Sequence, residues 1–471
     1  VKDSKYSKLG KNTIWMTIGA FSTKLSTFFL VPLYTSCLST AEYGTSDLIT
    51  VTVSLLMPVL TVSASEGILR FTLDKENDKS QVFTIAISLF LGGLLILLAF
   101  SSSILDLLNL NNYHAYFVIY YITFALSSIL LQFVKGLEHI RRFVFSGIIS
   151  SAVNIACNVL FLLNLKMGID GYLLAMIIGN IVQIIYIIFS EKIWEYFNYP
   201  WKIDSLLFKR FLLYSIPLIP NSISWWISNS SDRYILSYFC GTAVLGVYSV
   251  AYKIPSIVSV ISSVFTSAWQ ISAIENYDDE ESCNFFQNVY HKYSTIYVIG
   301  CSLVILLIRV IARVLFANEF YNAWPYAIIL TFGAVFQAMG GFLGVIYGAA
   351  MKTREIFTTT IVGAVLNIIL NIALIPSLGA MGAAIATLFS YIVVWLMRVK
   401  STRKFMPIKM KWGCILLSYT FVAVQCLVTI LEPPLWYIIS ILLTLLIVML
   451  NKQELIDIVK GVFLKFKNKA N

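Results

Sequence analysis

Val82-Phe83-Thr84-Ile85-Ala86-Ile87-Ser88-Leu89-Phe90-Leu91-Gly92-Gly93-Leu94-Leu95-Ile96-Leu97-Leu98-Ala99-Phe100 runs without one charged side chain. About 20 apolar residues wound as a helix span the roughly 30 Å hydrocarbon core of a bilayer. The run does not alternate apolar with polar residues, so it does not read as a barrel strand, and in lipid the backbone must then satisfy its own hydrogen bonds as a helix.

Outward from this stretch the same pattern recurs along all 471 residues, which are 58% hydrophobic and 12% charged, with a mean hydropathy of +0.81. Such a chain is too apolar for a water-soluble globule of this size. Apolar segments are predicted at roughly 11 to 37, 45 to 70, 82 to 105, 113 to 135, 143 to 163 and 169 to 190. After a polar, aromatic break eight more follow, at roughly 209 to 232, 243 to 268, 291 to 314, 324 to 350, 355 to 375, 380 to 398, 411 to 431 and 435 to 450. The first is too long for a signal-peptide core and has no small-residue cleavage pattern after it, so it reads as a retained helix. The fold class expected is all-α integral membrane with about fourteen transmembrane helices.

The formal charge of +10 is a matter of topology rather than of nucleic-acid binding. With Lys2, Lys5, Lys8 and Lys11 on the cytoplasmic side, about 28 of the 34 Lys and Arg fall on that side. Lys166, Arg233, Arg309 and Arg313 fall outside, and Lys24 and Lys253 within helices. Both ends of the sequence are thereby expected in the cytoplasm. The loops are short, about 20 residues at most, and leave no room for a soluble catalytic domain. The seven Cys and three His show no metal-ligand spacing and no catalytic constellation, so neither a metal nor a cofactor is expected.

Thr40-Ala41-Glu42-Tyr43-Gly44 recurs as Thr242-Ala243-Val244-Leu245-Gly246, each opening a helix that contains a proline, Pro58 or Pro255. Asn154-Ile155-x-x-Asn158 followed by Gly168-x-x-Gly171-x-x-x-Ala175 returns as Asn367-Ile368-x-x-Asn371 followed by Gly379-x-x-Gly382-x-x-x-Ala386, and Gly136 returns as Gly348. The chain therefore reads as two parallel six-helix repeats, 1–200 and 201–398, followed by two appended helices and a basic tail over 399–471. Parallel repeats place a substrate site between the halves.

Ionisable groups at membrane depth call for a partner or a solvated surface. Lys24 lies on a stripe with Thr13, Thr17, Ala20 and Thr27. Asp47, Thr50, Ser54, Pro58, Thr61 and Ser65 form a similar stripe on the second segment, and Pro217, Asn221, Ser224, Trp225, Ser228 and Asp232 on the seventh. Lys253 is placed about ten residues into the eighth. Glu66 and Arg70, spaced i,i+4, read either as substrate contacts or as a mutual ion pair. Asp232-Arg233 reads either as a gate pair or as an interfacial anchor.

Leu30-Val31-Pro32-Leu33-Tyr34 through Ala41-Glu42-Tyr43-Gly44, then Ser231-Asp232-Arg233-Tyr234-Ile235-Leu236 and Gly246-Val247-Tyr248-Ser249-Val250-Ala251-Tyr252-Lys253, resemble one family. It is the polysaccharide exporter, or O-antigen flippase, branch of the multidrug and oligosaccharidyl-lipid flippase superfamily. The resemblance covers residues 1 to about 400, and the last two segments match the branch's fourteen-helix form. It implies a non-enzymatic transporter in the bacterial inner membrane that moves an undecaprenyl-diphosphate-linked oligosaccharide to the outer leaflet by alternating access, among membrane lipids and polysaccharide polymerase machinery. Lys24, Lys253 and Arg70 would attract the diphosphate. The superfamily also implies coupling to an H+ or Na+ gradient, for which these residues offer no ion-site motif beyond Asp47. Two other classes stand beside it. A multidrug/cation antiporter of the same architecture would favour an acidic, aromatic cavity, and a membrane polysaccharide polymerase would need a substantial outer loop.

Overall fold

The structure is a computed structural model and describes residues 19, 28–197, 203–275, 277, 282–350 and 352–460. Most of the first predicted segment, Lys24 included, lies outside the described residues. All the regular structure among the described residues is helical. Among the described residues eleven helices are long and apolar enough to cross a membrane, and twelve when the bent pair Trp436–Leu450 and Lys452–Lys460 counts as one span. Their outer faces are apolar: Leu95, Phe100 and Phe189 are exposed while Leu97, on the other side of its helix, is buried. The protein is a multi-pass, all-α membrane protein.

By contacts the chain divides into two units, Val1–Tyr234 with Gly241–Gly246, and Ile235–Cys240 with Val247–Asn471. The first unit contains α1 (Val31–Cys37), α2 (Thr40–Leu60), α3 (Ala64–Leu73), α4 (Lys79–Leu108), α5 (His114–Gly136), α6 (Ile140–Asn158), α7 (Gly168–Glu191), α8 (Ser205–Ser215) and part of α9 (Leu218–Ala251). A capping box opens α2: the Glu42 backbone N–H donates to Ser39 Oγ at 3.2 Å, and the Ser39 N–H donates to Glu42 Oε2 at 2.8 Å. The hydroxyls along its polar face turn back onto the helix, Thr50 donating to the Asp47 carbonyl at 2.8 Å and Ser54 to that of Val51 at 2.7 Å. That lets a polar stripe exist without stranded donors.

The second predicted segment, 45 to 70, is two helices rather than one. Past Pro58 the backbone turns left-handed at Val62 (φ 54°) and Ser63 (φ 51°), and α3 begins at Ala64. The Ser63 N–H reaches back to the Pro58 carbonyl at 2.7 Å. A β-branched residue in this region is strained by about 1–3 kcal/mol. The stretch Ser205–Ser259 holds 55 residues in continuous helical character. At 1.5 Å per residue it would be about 80 Å long, far beyond one bilayer crossing. It is broken at Gly241, where φ 81° and ψ 171° lie outside any helix and only glycine is at ease. The next helix starts at Lys253, but the Tyr252 and Ser256 N–H groups donate to the Tyr248 and Tyr252 carbonyls at 3.3 and 3.1 Å, so the helical turn runs on through Lys253, about a dozen residues past the Gly241 break. Pro255 sits in that helix's first turn, where its missing N–H costs nothing.

The second unit contains α10 (Lys253–Glu275), α11 (Ser282–Leu315), α12 (Trp324–Ala349), α13 (Thr353–Leu378), α14 (Ala380–Thr402), α15 (Trp412–Leu431) and α16 (Trp436–Leu450). α12 is its central helix, with Phe336, Met339, Phe342, Ile346 and Tyr347 all buried. α15 and α16 attach to α11 through polar side chains as well as packing. Ser302 donates to Gln425 Oε1 at 2.8 Å, while Gln425 Nε2 donates to Ser440 Oγ at 2.9 Å and Thr444 Oγ1 at 3.1 Å. Arg309 lies over the Trp324 ring at 3.9 Å and pairs with Glu432.

The asparagine motif read twice from the sequence makes the same contact in each unit. Asn158 Nδ2 donates to Asn154 Oδ1 at 3.0 Å, and Asn371 Nδ2 to Asn367 Oδ1 at 2.9 Å.

Candidate functional site

Two polar features lie inside the first unit. The first joins the start of α2 to α9. A Cβ placed on Gly44 would fall onto the Thr242 carbonyl oxygen, and one on Gly246 onto the Thr40 carbonyl oxygen, so the two backbones touch where neither residue has a side chain. One turn along, Arg233 Nε donates to Asp47 Oδ2 at 2.8 Å, and Arg233 Nη1 donates to the Asn229 carbonyl at 2.6 Å. Asp232 Oδ1 stands 3.5 Å from the same guanidinium. The Arg233 and Asp47 side chains are 12% and 18% exposed, so water screens this pair far less than it would at an open surface.

Further along, Trp226 Nε1 donates to the Val51 carbonyl at 2.9 Å, and the Tyr234 and Thr52 hydroxyls meet at 2.5 Å. Thr52 gives its own proton to the Leu48 carbonyl at 2.6 Å, so Tyr234 is the donor to Thr52.

The second feature is a cleft of about 440 Å³ at the break between α2 and α3. Ser54, Met57 and Pro58 of α2, Ser63 of the break, Ser65 and Glu66 of α3 and Ser222 of α9 form one side. Phe124, Ser128, Leu131, Gln132 and Lys135 of α5, with Phe143, form the other. A second cleft of about 430 Å³ lies beyond Phe124, which lines both, and is walled by Tyr34, Asn154, Tyr172 and Asn180 among others.

The sequence-derived candidates distribute as follows. Asp47, Asp232 and Arg233 come together, with Asp47 rather than Asp232 as the nearer partner of Arg233. Glu66 lines the first cleft; Arg70, one turn on, is exposed and makes no ion pair with it. Asn221 is exposed beside Ser222 of the cleft wall. Lys253 belongs to the second unit, and Lys24 lies outside the described residues. Gln132 and Lys135, which line the first cleft, are not among those candidates, although an amide inside the apolar run 113 to 135 is itself a signal. Among the described residues no group of three or more His, Cys, Asp or Glu is placed to hold a metal.

A family described as "Polysaccharide biosynthesis protein" matches residues 9–270, more than half of the chain. The probable low-salt glycan biosynthesis flippase Agl15 of Haloferax volcanii is 26% identical over 203 residues, 42% of this chain and 43% of that protein. The capsular polysaccharide biosynthesis protein CapF of Staphylococcus aureus is 24% identical over 190 residues, 40% of this chain and 48% of that one. The chain thus spans about half the length of these relatives. In fold it is similar to the lipid II flippase MurJ in an inward closed conformation, with a TM-score of 0.71 and 16% identity over 94% of this chain and 97% of that one. It is likewise similar to an inward-facing multidrug resistance MATE family transporter of the MOP superfamily, with a TM-score of 0.67 and 14% identity over 84% of this chain and 98% of that one.

Proposed function

We propose, from the premise that this chain belongs to the polysaccharide biosynthesis protein family and is a flippase-type transporter rather than an enzyme, that it carries undecaprenyl-diphosphate-linked oligosaccharide from the cytoplasmic to the outer leaflet of a bacterial inner membrane. The observation that carries the reading is the line of contacts from Gly44 to Thr52 against α9. Repeat-related residues touch reciprocally at Gly44 and Gly246, and Asp47 holds Arg233 beside them. In the topology that puts the Lys-rich loops in the cytoplasm, this line lies on the outer side and closes it. In the same topology the polar cleft lined by Glu66 and Lys135 lies toward the cytoplasm. A transporter that alternates needs one side shut by contacts that can be broken and remade, and a handful of hydrogen bonds and one ion pair meet that need.

Fourteen crossings are reached when the segment from 11 to 37 spans, when the 55 residues of Ser205–Ser259 are counted as two spans, and when α16 with the helix after it is one more. In this reading 1–200 and 201–398 are the two repeats, supported by the matching asparagine contacts, and 399–471 is the appended part. Lys24, Lys253 and Arg70 supply positive charge for the diphosphate. In surroundings of low dielectric a few such charges suffice. Asp47, Asp232, Arg233, Glu66 and Asn221 serve the moving contacts and the polar lining.

The test is transfer of radiolabelled polyprenyl-diphosphate oligosaccharide across proteoliposomes holding wild type or Lys24→Ala. Transfer by the wild type that falls at least tenfold in a folded variant is the expected result. A wild type that moves no lipid-linked sugar but exports small organic cations would overturn the proposal in favour of an antiporter.

A further inference from the structure

We infer that the cleft at the α2–α3 break binds a sugar ring of the carried glycan, and that its lining, rather than the diphosphate contacts, selects which glycan is accepted; this rests on the flippase reading above. Charge is the first argument. The lining carries one carboxylate, Glu66, and one ammonium, Lys135, so it is neutral in sum. A diphosphate would be drawn to an excess of positive charge, whereas a neutral polyol is matched by a balanced set of acceptor-only, donor-only and two-way groups.

Unmet hydrogen bonding is the second. Ser63 Oγ, on a residue only 1% exposed, and Gln132 Oε1 are buried without a hydrogen-bond partner, and both residues line the cleft. A buried polar atom left unpaired is costly, and a ligand hydroxyl would supply the missing bond. The left-handed backbone at Val62 and Ser63 is what puts the Ser63 hydroxyl there, so a strained turn and an unpaired group coincide at one spot.

Shape is the third. Phe124 lines this cleft and the neighbouring one, whose walls include Tyr34, Asn154, Tyr172 and Asn180. Each volume falls in the range of small-molecule sites, roughly 300–1,000 Å³. An aromatic face between two amide- and hydroxyl-lined clefts suits successive rings of an oligosaccharide, whose C–H faces stack on the ring while their hydroxyls bond at the rims.

The experiment uses full-length protein in proteoliposomes and the pool of polyprenyl-diphosphate oligosaccharides extracted from the cells that make it. Part of that pool carries a photoreactive diazirine coupled to its sugars. Gln132→Leu and Phe124→Ala are each expected to raise the half-saturating concentration about tenfold while changing the maximal rate less. On the wild type, crosslinks are expected on α3 and α5, which keeps the test decisive if a variant fails to fold. Normal transfer with unchanged half-saturation in both variants, or with crosslinks confined to helices that do not line the cleft, would overturn the sugar site and leave the flippase reading standing. No transfer of any member of the pool by the wild type would remove the flippase reading, and this inference with it.

Discussion

Gly44 and Gly246 stand in a reciprocal contact, each filling the space against the carbonyl of the threonine that opens the other's helical stretch, Thr242 for Gly44 and Thr40 for Gly246. Neither position has room for a methyl group, because what a Cβ would meet is backbone and cannot rotate away. Gly44→Ala and Gly246→Ala are each expected to destabilise the protein by about 1–3 kcal/mol through overpacking. Gly92 and Gly300 have nothing within 4 Å of the same probe position, so alanine there is expected to leave stability unchanged or raise it by about 0.5–1 kcal/mol. Thermal unfolding of the four purified variants separates the two groups; equal behaviour would mean the contact does not persist.

Arg233 donates to Asp47 in a setting where both side chains are mostly covered. A charge-assisted hydrogen bond of this kind contributes about 1.5–3 kcal/mol. In a double-mutant cycle of Asp47→Asn and Arg233→Met, the two changes together are expected to cost less than the sum of each alone, by about 1–2 kcal/mol. If the pair closes one side of a transport route, both single variants also become labelled faster by a membrane-impermeant thiol reagent at a Tyr43→Cys reporter. Additive effects and unchanged labelling would leave Asp47 and Arg233 as independent surface groups.

The all-helical membrane architecture and the family were legible because apolar runs near bilayer length and the Asn and Gly spacings are local in sequence. The Asn154–Asn158 and Asn367–Asn371 contacts follow from i,i+4 spacing alone. Other features were not legible, each for its own reason. The break at Val62–Ser63 carries neither glycine nor asparagine, the residues that ordinarily mark a left-handed turn, so only Pro58 hinted at it. The partnership of Asp47 with Arg233 joins positions 186 residues apart, and no periodicity reports such a pairing. Adjacency in the chain favoured Asp232, which at 3.5 Å is the more distant of the two acidic partners.

Gln425 is buried among Ser302, Ser440 and Thr444, and its amide is the hub through which α15 and α16 bond to α11. Hydrogen bonds between membrane helices contribute modestly, about 0.6 kcal/mol on average and up to about 1.7. Because Gln425 serves three partners, Gln425→Leu is expected to cost about 1–2 kcal/mol. It should also make the segment after Trp412 more open to limited proteolysis while the rest of the protein keeps its resistance. A uniform loss of resistance would show that the last helices unfold together with the remainder.

Glu191 ends α7 with its side chain 1% exposed, at the helix terminus where the aligned carbonyls already repel negative charge. Two donors hold it there, His139 Nδ1 at 2.8 Å and Arg142 Nη1 at 2.9 Å, both from the start of the neighbouring α6 region. Removing Arg142 therefore leaves a buried carboxylate with His139 alone against an unfavourable dipole, whereas neutralising Glu191 relieves that repulsion and frees only a half-exposed guanidinium that water can solvate. Arg142→Met is accordingly expected to lower stability by about 1–3 kcal/mol, more than Glu191→Gln does. The double variant should recover part of the loss, because it no longer contains the under-compensated buried charge. Unfolding of the three variants by heat gives the order directly: Arg142→Met lowest, the double variant above it and Glu191→Gln nearest the wild type. The reverse order of the two single variants would mean that the carboxylate is hydrated and that the pair does not fix the junction of α6 and α7.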